Sequence, residues 1–283
     1  MNNTNIIHDS AYIHPNVILG DYNRIGANVK IEILGSNPNA KAIIGDNNII
    51  NDNTRIFIHG DLTVGDWNVF HNDMLIMAED YIHIGHNGWF GQNTILDGAG
   101  GLEIRNGVRV GMYSQIWTHV ASGEQIEGCT LFAKRATIIH DDVWLVGSCV
   151  VGSGITMGRR STALINSVIT KDTVEDGAYA GSPAKHMEKA QFYLPKTIDE
   201  KFEMLSNWIN EFVSMNPQFN SHIENDEIIL SGDNEKVVFS KTSNNGTKGI
   251  FYLGDKTFNK TNSVLERLVY KFLYNNKARF LPR

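Results

Sequence analysis

Residues 139–170 read IHDDVWLVGSCVVGSGITMGRRSTALINSVIT, and within them Ile139, Leu145, Val151, Met157, Ala163 and Ile169 stand at every sixth position. A spacing of six is neither the 3.6-residue period of an amphipathic helix nor the bare alternation of an isolated strand. Working outward, the same step recurs at Ile13, Leu19, Ile25 and Ile31. Gly and Asp follow the marked position in Leu19-Gly20-Asp21, Ile44-Gly45-Asp46 and Val64-Gly65-Asp66. A triangular parallel β-helix accounts for both patterns. Each side takes about six residues and each turn about eighteen, with the marked aliphatic pointing into the prism and the small residue turning the corner. Ile44, Val64, Ile84 and Ile104 stand twenty apart instead, so the middle coils each carry two extra residues at one corner. Eight or so coils are expected. A sandwich or barrel of short strands does not hold such a register, and spacing alone does not reveal the hand of the coil.

The register fails between Ile116 and Ile139, where the segment 117–137 (WTHVASGEQIEGCTLFAKRAT) reads as an excursion from one corner. Long loops on a rigid scaffold are usually functional, and this one puts a histidine, His119, at its foot. A shorter irregularity lies at 34–42. After Ala190 the hexapeptides stop. Thr197-Ile198-Asp199-Glu200 is a capping box, followed by Phe202, Leu205, Ile209, Phe212 and Val213 at helical spacing. Strands are expected at 227–230, 236–240 and 249–253, parted by turns at 231–234 and at Asn244-Asn245-Gly246, and a last helix from about Ser263. The reading is a β-helix domain over 1–190 and a small α+β domain over 191–283.

Composition narrows the partners. The chain has 283 residues and a formal net charge of −6, which disfavours a polyanion such as nucleic acid. The acidic excess lies in the first 190 residues, while the rest is nearly balanced. Two cysteines, Cys129 and Cys149, frame no disulfide scaffold and no metal-ligand spacing. With no secretory leader and no apolar run long enough to span a bilayer, a cytoplasmic location is expected.

Four blocks, in order, carry a resemblance to a known family: GMYSQIWTH at 111–119, DVWL at 142–145, SVITKD at 167–172 and AGSPAK at 180–185. Over roughly 10–190 the chain resembles the hexapeptide-repeat acyltransferases, especially galactoside, maltose and polysaccharide O-acetyltransferases. The resemblance implies left-handed coils, homotrimers and active sites between adjacent subunits, with acetyl-coenzyme A as co-substrate. It carries the catalytic histidine to His119 and the coenzyme-groove tryptophan to Trp144. Ile165, Thr170 and Lys171 would line the pantetheine and phosphate path, with Lys185 near the nucleotide end. The chain departs from the family at Val146-Gly147, where relatives have Gly and a small polar residue, so Gly147 offers only its backbone N–H to an oxyanion. It departs again at Ala163-Leu164-Ile165-Asn166 and at His140, where glycine is usual.

Acyl transfer from a thioester needs a base for the attacking hydroxyl and a donor for the tetrahedral oxyanion. Histidine suits the first role because it takes and returns a proton near neutral pH. The sequence does not identify the group fixing its tautomer; Asp97, in the preceding coil, is the first carboxylate to test. Trp117, Trp89 and Tyr113 fall near the expected groove by repeat counting and have faces suited to a sugar ring, although each would equally fill a coil corner. Cys149 falls on an inward position and reads as core. His83 and His86 do not converge on a β-helix, and no metal site is expected. Three functions stay open: a sugar O-acetyltransferase, an N-acetyltransferase acting on a nucleotide-linked amino sugar, and a non-catalytic β-helix scaffold.

Overall fold

The computed structural model describes residues 4–35, 37, 40–242 and 248–283, which leaves the expected turn at Asn244-Asn245-Gly246 outside the described residues. The chain divides into two compact units, 1–193 and 194–283. The first coils through three sheets of short strands, visited in turn. Face one runs from Ile6–Ile7 to Ala178–Gly181 and is closed by an antiparallel strand, Ala184–His186. Face two runs from Tyr12–Ile13 to Val168–Ile169, and face three from Ile18–Leu19 to Thr156–Met157. Within each face, successive coils pair in parallel. This is the parallel β-helix of hexapeptide sides that the period predicts, the left-handed kind of the resemblance.

Pairing follows the sequence period coil by coil. Ile139 stacks under Met157, Leu145 under Ala163 and Val151 under Ile169, steps of eighteen. Ile44, Val64, Ile84 and Ile104 stack in steps of twenty. The two irregular segments lengthen a single step each: Leu19 pairs with Ile44 across the one at 34–42, part of which lies outside the described residues, and Ile104 with Ile139 across the excursion. The six marked residues from Ile139 to Ile169 are all at most 1% exposed, and burying each of the larger ones, all but Ala163, contributes roughly 1.5–3 kcal/mol. Phe70 and Phe90 stack at 4.9 Å in the same column.

The Gly-Asp pairs have a cause the spacing did not show. Coils lie so close that a Cβ on Gly45 would meet Asp66 Oδ1 at 2.3 Å and Gly65 O at 2.9 Å. The residue two positions after each inward aliphatic, which follows a glycine in the early coils and Arg105 or His140 in the later ones, accepts a backbone N–H from the coil before it. Asp46 accepts from Asp21, Asp66 from Asp46, His86 from Asp66, Asn106 from His86 and Asp141 from Asn106, at 2.8–2.9 Å. His86 is thus one rung of a ladder that satisfies corner amides which would otherwise lack a partner.

The second unit holds two helices, α1 (Ile198–Met215) and α2 (Val264–Leu273), and a six-stranded sheet. Strands Glu227–Gly232, Glu235–Ser240 and Ile250–Tyr252 match the expectation to within a few residues. Those at Asn220–Glu224, Thr257–Phe258 and Leu281–Pro282 were not foreseen. Its core is aromatic: Phe239, Phe251, Phe258, Tyr270 and Phe280 are buried in mutual contact. The capping box forms as expected, Thr197 Oγ1 accepting from Glu200 N while the Glu200 carboxylate accepts from Thr197 N at 2.8 Å. The hydrogen-bonded Lys196 ammonium, with the Thr197 backbone N–H, holds the Glu200 carboxyl down to about 2. Replacing Thr197 with Ala is expected to cost this unit about 1 kcal/mol, read as a lower urea midpoint of its helical circular-dichroism signal.

Candidate active site

The prism corner between faces two and three holds the histidine. Face two ends its strand Ile95–Asp97 on an aspartate, and in the next coil the strand Gln115–Ile116 continues into Trp117, Thr118 and His119. The chain then leaves the prism as a hairpin, His119–Ala121 pairing antiparallel with Phe132–Lys134, and re-enters at Thr137 on face three. The excursion expected at 117–137 is thus a two-stranded arm with an exposed tip.

His119 Nδ1 lies 2.8 Å from Asp97 Oδ2. The Asp97 side chain is 2% exposed and that of His119 35%, so the carboxylate is sealed in and the ring reaches solvent. Oδ2 also accepts from Thr118 N and lies within bonding distance of Thr118 Oγ1, both at 2.8 Å. With the carboxylate ionised, Nδ1 carries the proton and donates it, leaving Nε2 as the basic nitrogen. Nε2 has no hydrogen-bond partner among the described residues. The Trp117 ring stands edge-on to the imidazole at 5.9 Å, its Nε1 donating to Gln115 Oε1.

Thr118 escaped the sequence reading, although it lies inside the WTH block. It is fully buried, and its Oγ1 accepts from Gly100 N at 2.8 Å. Its carbonyl accepts from Arg135 N and from Ser153 Oγ, each at 2.9 Å, which pins the returning end of the arm to the outgoing one. Gly100 is required here, since a Cβ on it would meet Thr118 O at 2.3 Å. Thr118→Val should keep the shape, leave Gly100 N–H buried without a partner and destabilise the β-helix by about 1–3 kcal/mol. Denaturant unfolding of the purified variant checks this.

The other candidates fall into two sets. Thr170 and Lys171 share the corner of His119, two coils further on, and both are exposed. Trp89 and Trp144 project from face one, each paired in register with Arg109 between them. Tyr113, Gly147 and Ile165 occupy the corner between faces one and two, and Lys185 lies in the closing hairpin of face one. Within one chain the structure brings Asp97, Trp117 and His119 together. Trp89 and Tyr113, expected beside them by repeat counting, are separated from them by the width of face two. Six-residue spacing gives the inward position and not the corner, so counting alone could not tell the two grooves apart. Tyr113 takes a left-handed backbone, φ 60°, in a column of such corner residues that includes Asn53, Asp73 and Asn93. Trp89 packs against the His71 ring at 4.7 Å, and burial pushes the His71 imidazole below its ordinary value. Cys149 is buried, as read from its inward position.

Fold and corner together define a hexapeptide β-helix bearing a carboxylate-fixed histidine at the foot of an arm. No protein-family model matches the chain. Among solved structures, a hexapeptide-repeat acetyltransferase from Vibrio cholerae is 28% identical over 38% of this chain and 61% of its own, with a TM-score of 0.35. A maltose O-acetyltransferase from Clostridium difficile 630 is 25% identical over 40% of this chain and 60% of its own, with a TM-score of 0.36. The polysialic-acid-specific acetyltransferase NeuO is 16% identical over 74% of this chain and 94% of its own, with a TM-score of 0.44. The chain spans about three fifths of the length of the first two. Similar structures include an N-acyltransferase as well as O-acetyltransferases. No helix among the described residues is long and apolar enough to cross a membrane.

Proposed function

We propose that the chain is an acyltransferase that moves an acetyl group from acetyl-coenzyme A to a sugar hydroxyl, with His119 as general base. The observation that carries this reading is the His119–Asp97 pair, a half-exposed imidazole whose inner nitrogen is tied to a sealed carboxylate. His119 Nε2 takes the proton of the acceptor hydroxyl as its oxygen bonds to the acetyl carbonyl carbon. The tetrahedral oxyanion then collapses, the carbon–sulfur bond breaks, and the imidazolium returns its proton to the departing thiolate. Asp97 stabilises the imidazolium and holds the ring in the tautomer that leaves Nε2 basic. An N–H donor for the oxyanion is typically worth about 3–4 kcal/mol, and Gly147 N–H is the candidate.

Two candidate sets separated by one prism face cannot act on a single thioester within one chain. A side of six residues is about 15–20 Å wide. The homotrimer implied by the family resemblance resolves this by setting the His119 corner of one subunit against the Trp144 face of the next, with Thr170, Lys171 and Lys185 toward the coenzyme phosphates. The test is coenzyme A release from acetyl-coenzyme A across a panel of saccharides and nucleotide-linked amino sugars. Hybrids of His119→Ala and Trp144→Ala chains should regain activity that neither variant shows alone. Release with amines only, or active monomers by light scattering, overturns the corresponding part of the reading.

A further inference from the structure

The twenty-residue coils carry their two extra residues at one corner, the same one that bears His119. Those residues are His59-Gly60, Glu79-Asp80 and Ala99-Gly100, and they form a ledge beneath the histidine. Counting on from the pairing of Leu96 with Ile116, position 119 belongs to the column of 59, 79 and 99. Coils are about 4.8 Å apart, so Glu79 and Asp80 lie about 10 Å from His119. After the arm the coils return to eighteen residues, and the ledge ends.

On this ledge lies an open pocket of 480 Å³ lined by His59, Glu79, Asp80, Ala99 and Lys134. Two contacts tie it to the histidine. Ala99, its small floor residue, donates its N–H to Asp97 Oδ1 at 3.4 Å. Lys134 is paired directly with His119 across the arm, so both side chains leave the same side of the hairpin. Lys134 Nζ lies 3.5 Å from Glu79 Oε2, which neutralises one of the two carboxylates. The Asp80 carboxylate has no hydrogen-bond or ion-pair partner among the described residues. Its column neighbours are Gly60 and Gly100, so no side chain flanks it above or below.

We infer that this pocket is the acceptor subsite and that it takes an uncharged, hydroxyl-rich saccharide, with Asp80 accepting from its hydroxyls. The inference rests on the acyl-transfer reading above and names the acceptor class within it. Ionised carboxylates accept and do not donate, so Asp80 favours a ligand rich in O–H groups. Two carboxylates against one ammonium leave the pocket net negative, which repels a uronate, a sialate or a nucleotide-linked sugar.

Binding and turnover separate the two proposals. Methyl glucoside, methyl galactoside, glucuronate and UDP-N-acetylglucosamine are titrated without acetyl-coenzyme A into the full-length wild type, His119→Ala, Asp80→Ala and Asp80→Lys, by saturation-transfer NMR. A neutral glycoside is expected to bind wild type and His119→Ala alike, to bind Asp80→Ala about tenfold more weakly, the loss of a charged hydrogen-bond acceptor, and the acids to gain on Asp80→Lys. Equal binding to wild type and Asp80→Ala overturns the subsite, as does no neutral binding at all or preference of the wild type for the acids. Loss of coenzyme A release with every acceptor class, measured separately, overturns the acyl-transfer reading without touching the binding result.

Discussion

His119→Ala is expected to lower turnover by about a hundredfold or more, the range for losing a positioned general base, while circular dichroism and thermal midpoint stay those of the parent. The fold should tolerate the change because the ring contributes no core contact. Its side chain is 35% exposed, and its one hydrogen bond is to Asp97. That carboxylate keeps the Thr118 backbone N–H as a donor after the substitution. The measurement is steady-state coenzyme A release at saturating acceptor. Activity within a few-fold of the parent removes His119 from the mechanism.

Asp97→Ala is expected to do more damage, and of two kinds. Removing the carboxylate leaves the imidazole free to rotate and to take the wrong tautomer, so turnover should fall steeply, though not beyond the loss in His119→Ala, which removes the base itself. It also strips the buried Thr118 N–H and the Ala99 N–H of their acceptor, and each buried unsatisfied donor costs about 1–3 kcal/mol. Asp97→Asn separates the effects. An amide can place its oxygen where Oδ2 lies and keep the Thr118 N–H bond, but its NH2 then stands where Oδ1 accepted from Ala99 N–H, and it lacks the charge that stabilises the imidazolium. The expected order of stability is parent, Asn, then Ala, with turnover low in both variants. Urea unfolding beside coenzyme A release reads the two axes independently, and an Asn variant as active as the parent would falsify the electrostatic role of Asp97.

How much of this was readable beforehand depends on how local each feature is. The inward positions were legible from the six-residue step because the constraint repeats: Ile139, Leu145, Val151 and Met157 each meet the same demand one side further on. The excursion was legible as a break in that step, and the foot of a break is where a histidine gains solvent without losing its anchor. Asp97 was one carboxylate to test, since sequence gives coil number but no distance. Counting alone did not show that Trp89 and Tyr113 lie one prism face away from His119 within a chain, because face and corner follow from summed step lengths, where eighteen and twenty mix. In the C-terminal unit, Asn220–Glu224 escaped notice because NSHIE has no buried residue to set an alternation. Leu281–Pro282 pairs with Thr257–Phe258 across a helix, a long-range partnership that no local window contains.

The arm that begins at His119 is closed at its foot, where Thr118 O accepts from Arg135 N and Trp117 O from Thr137 Oγ1, and its tip at 121–132 is almost wholly exposed. A loop whose ends are already held together gains length cheaply, since doubling it costs only about 0.6 kcal/mol in closure entropy. Changes at the tip therefore leave the imidazole where it is. What the arm covers can be rewritten by insertion or exchange while the proton-transfer geometry is inherited intact, so new acceptors and preserved chemistry are separately evolvable in this scaffold.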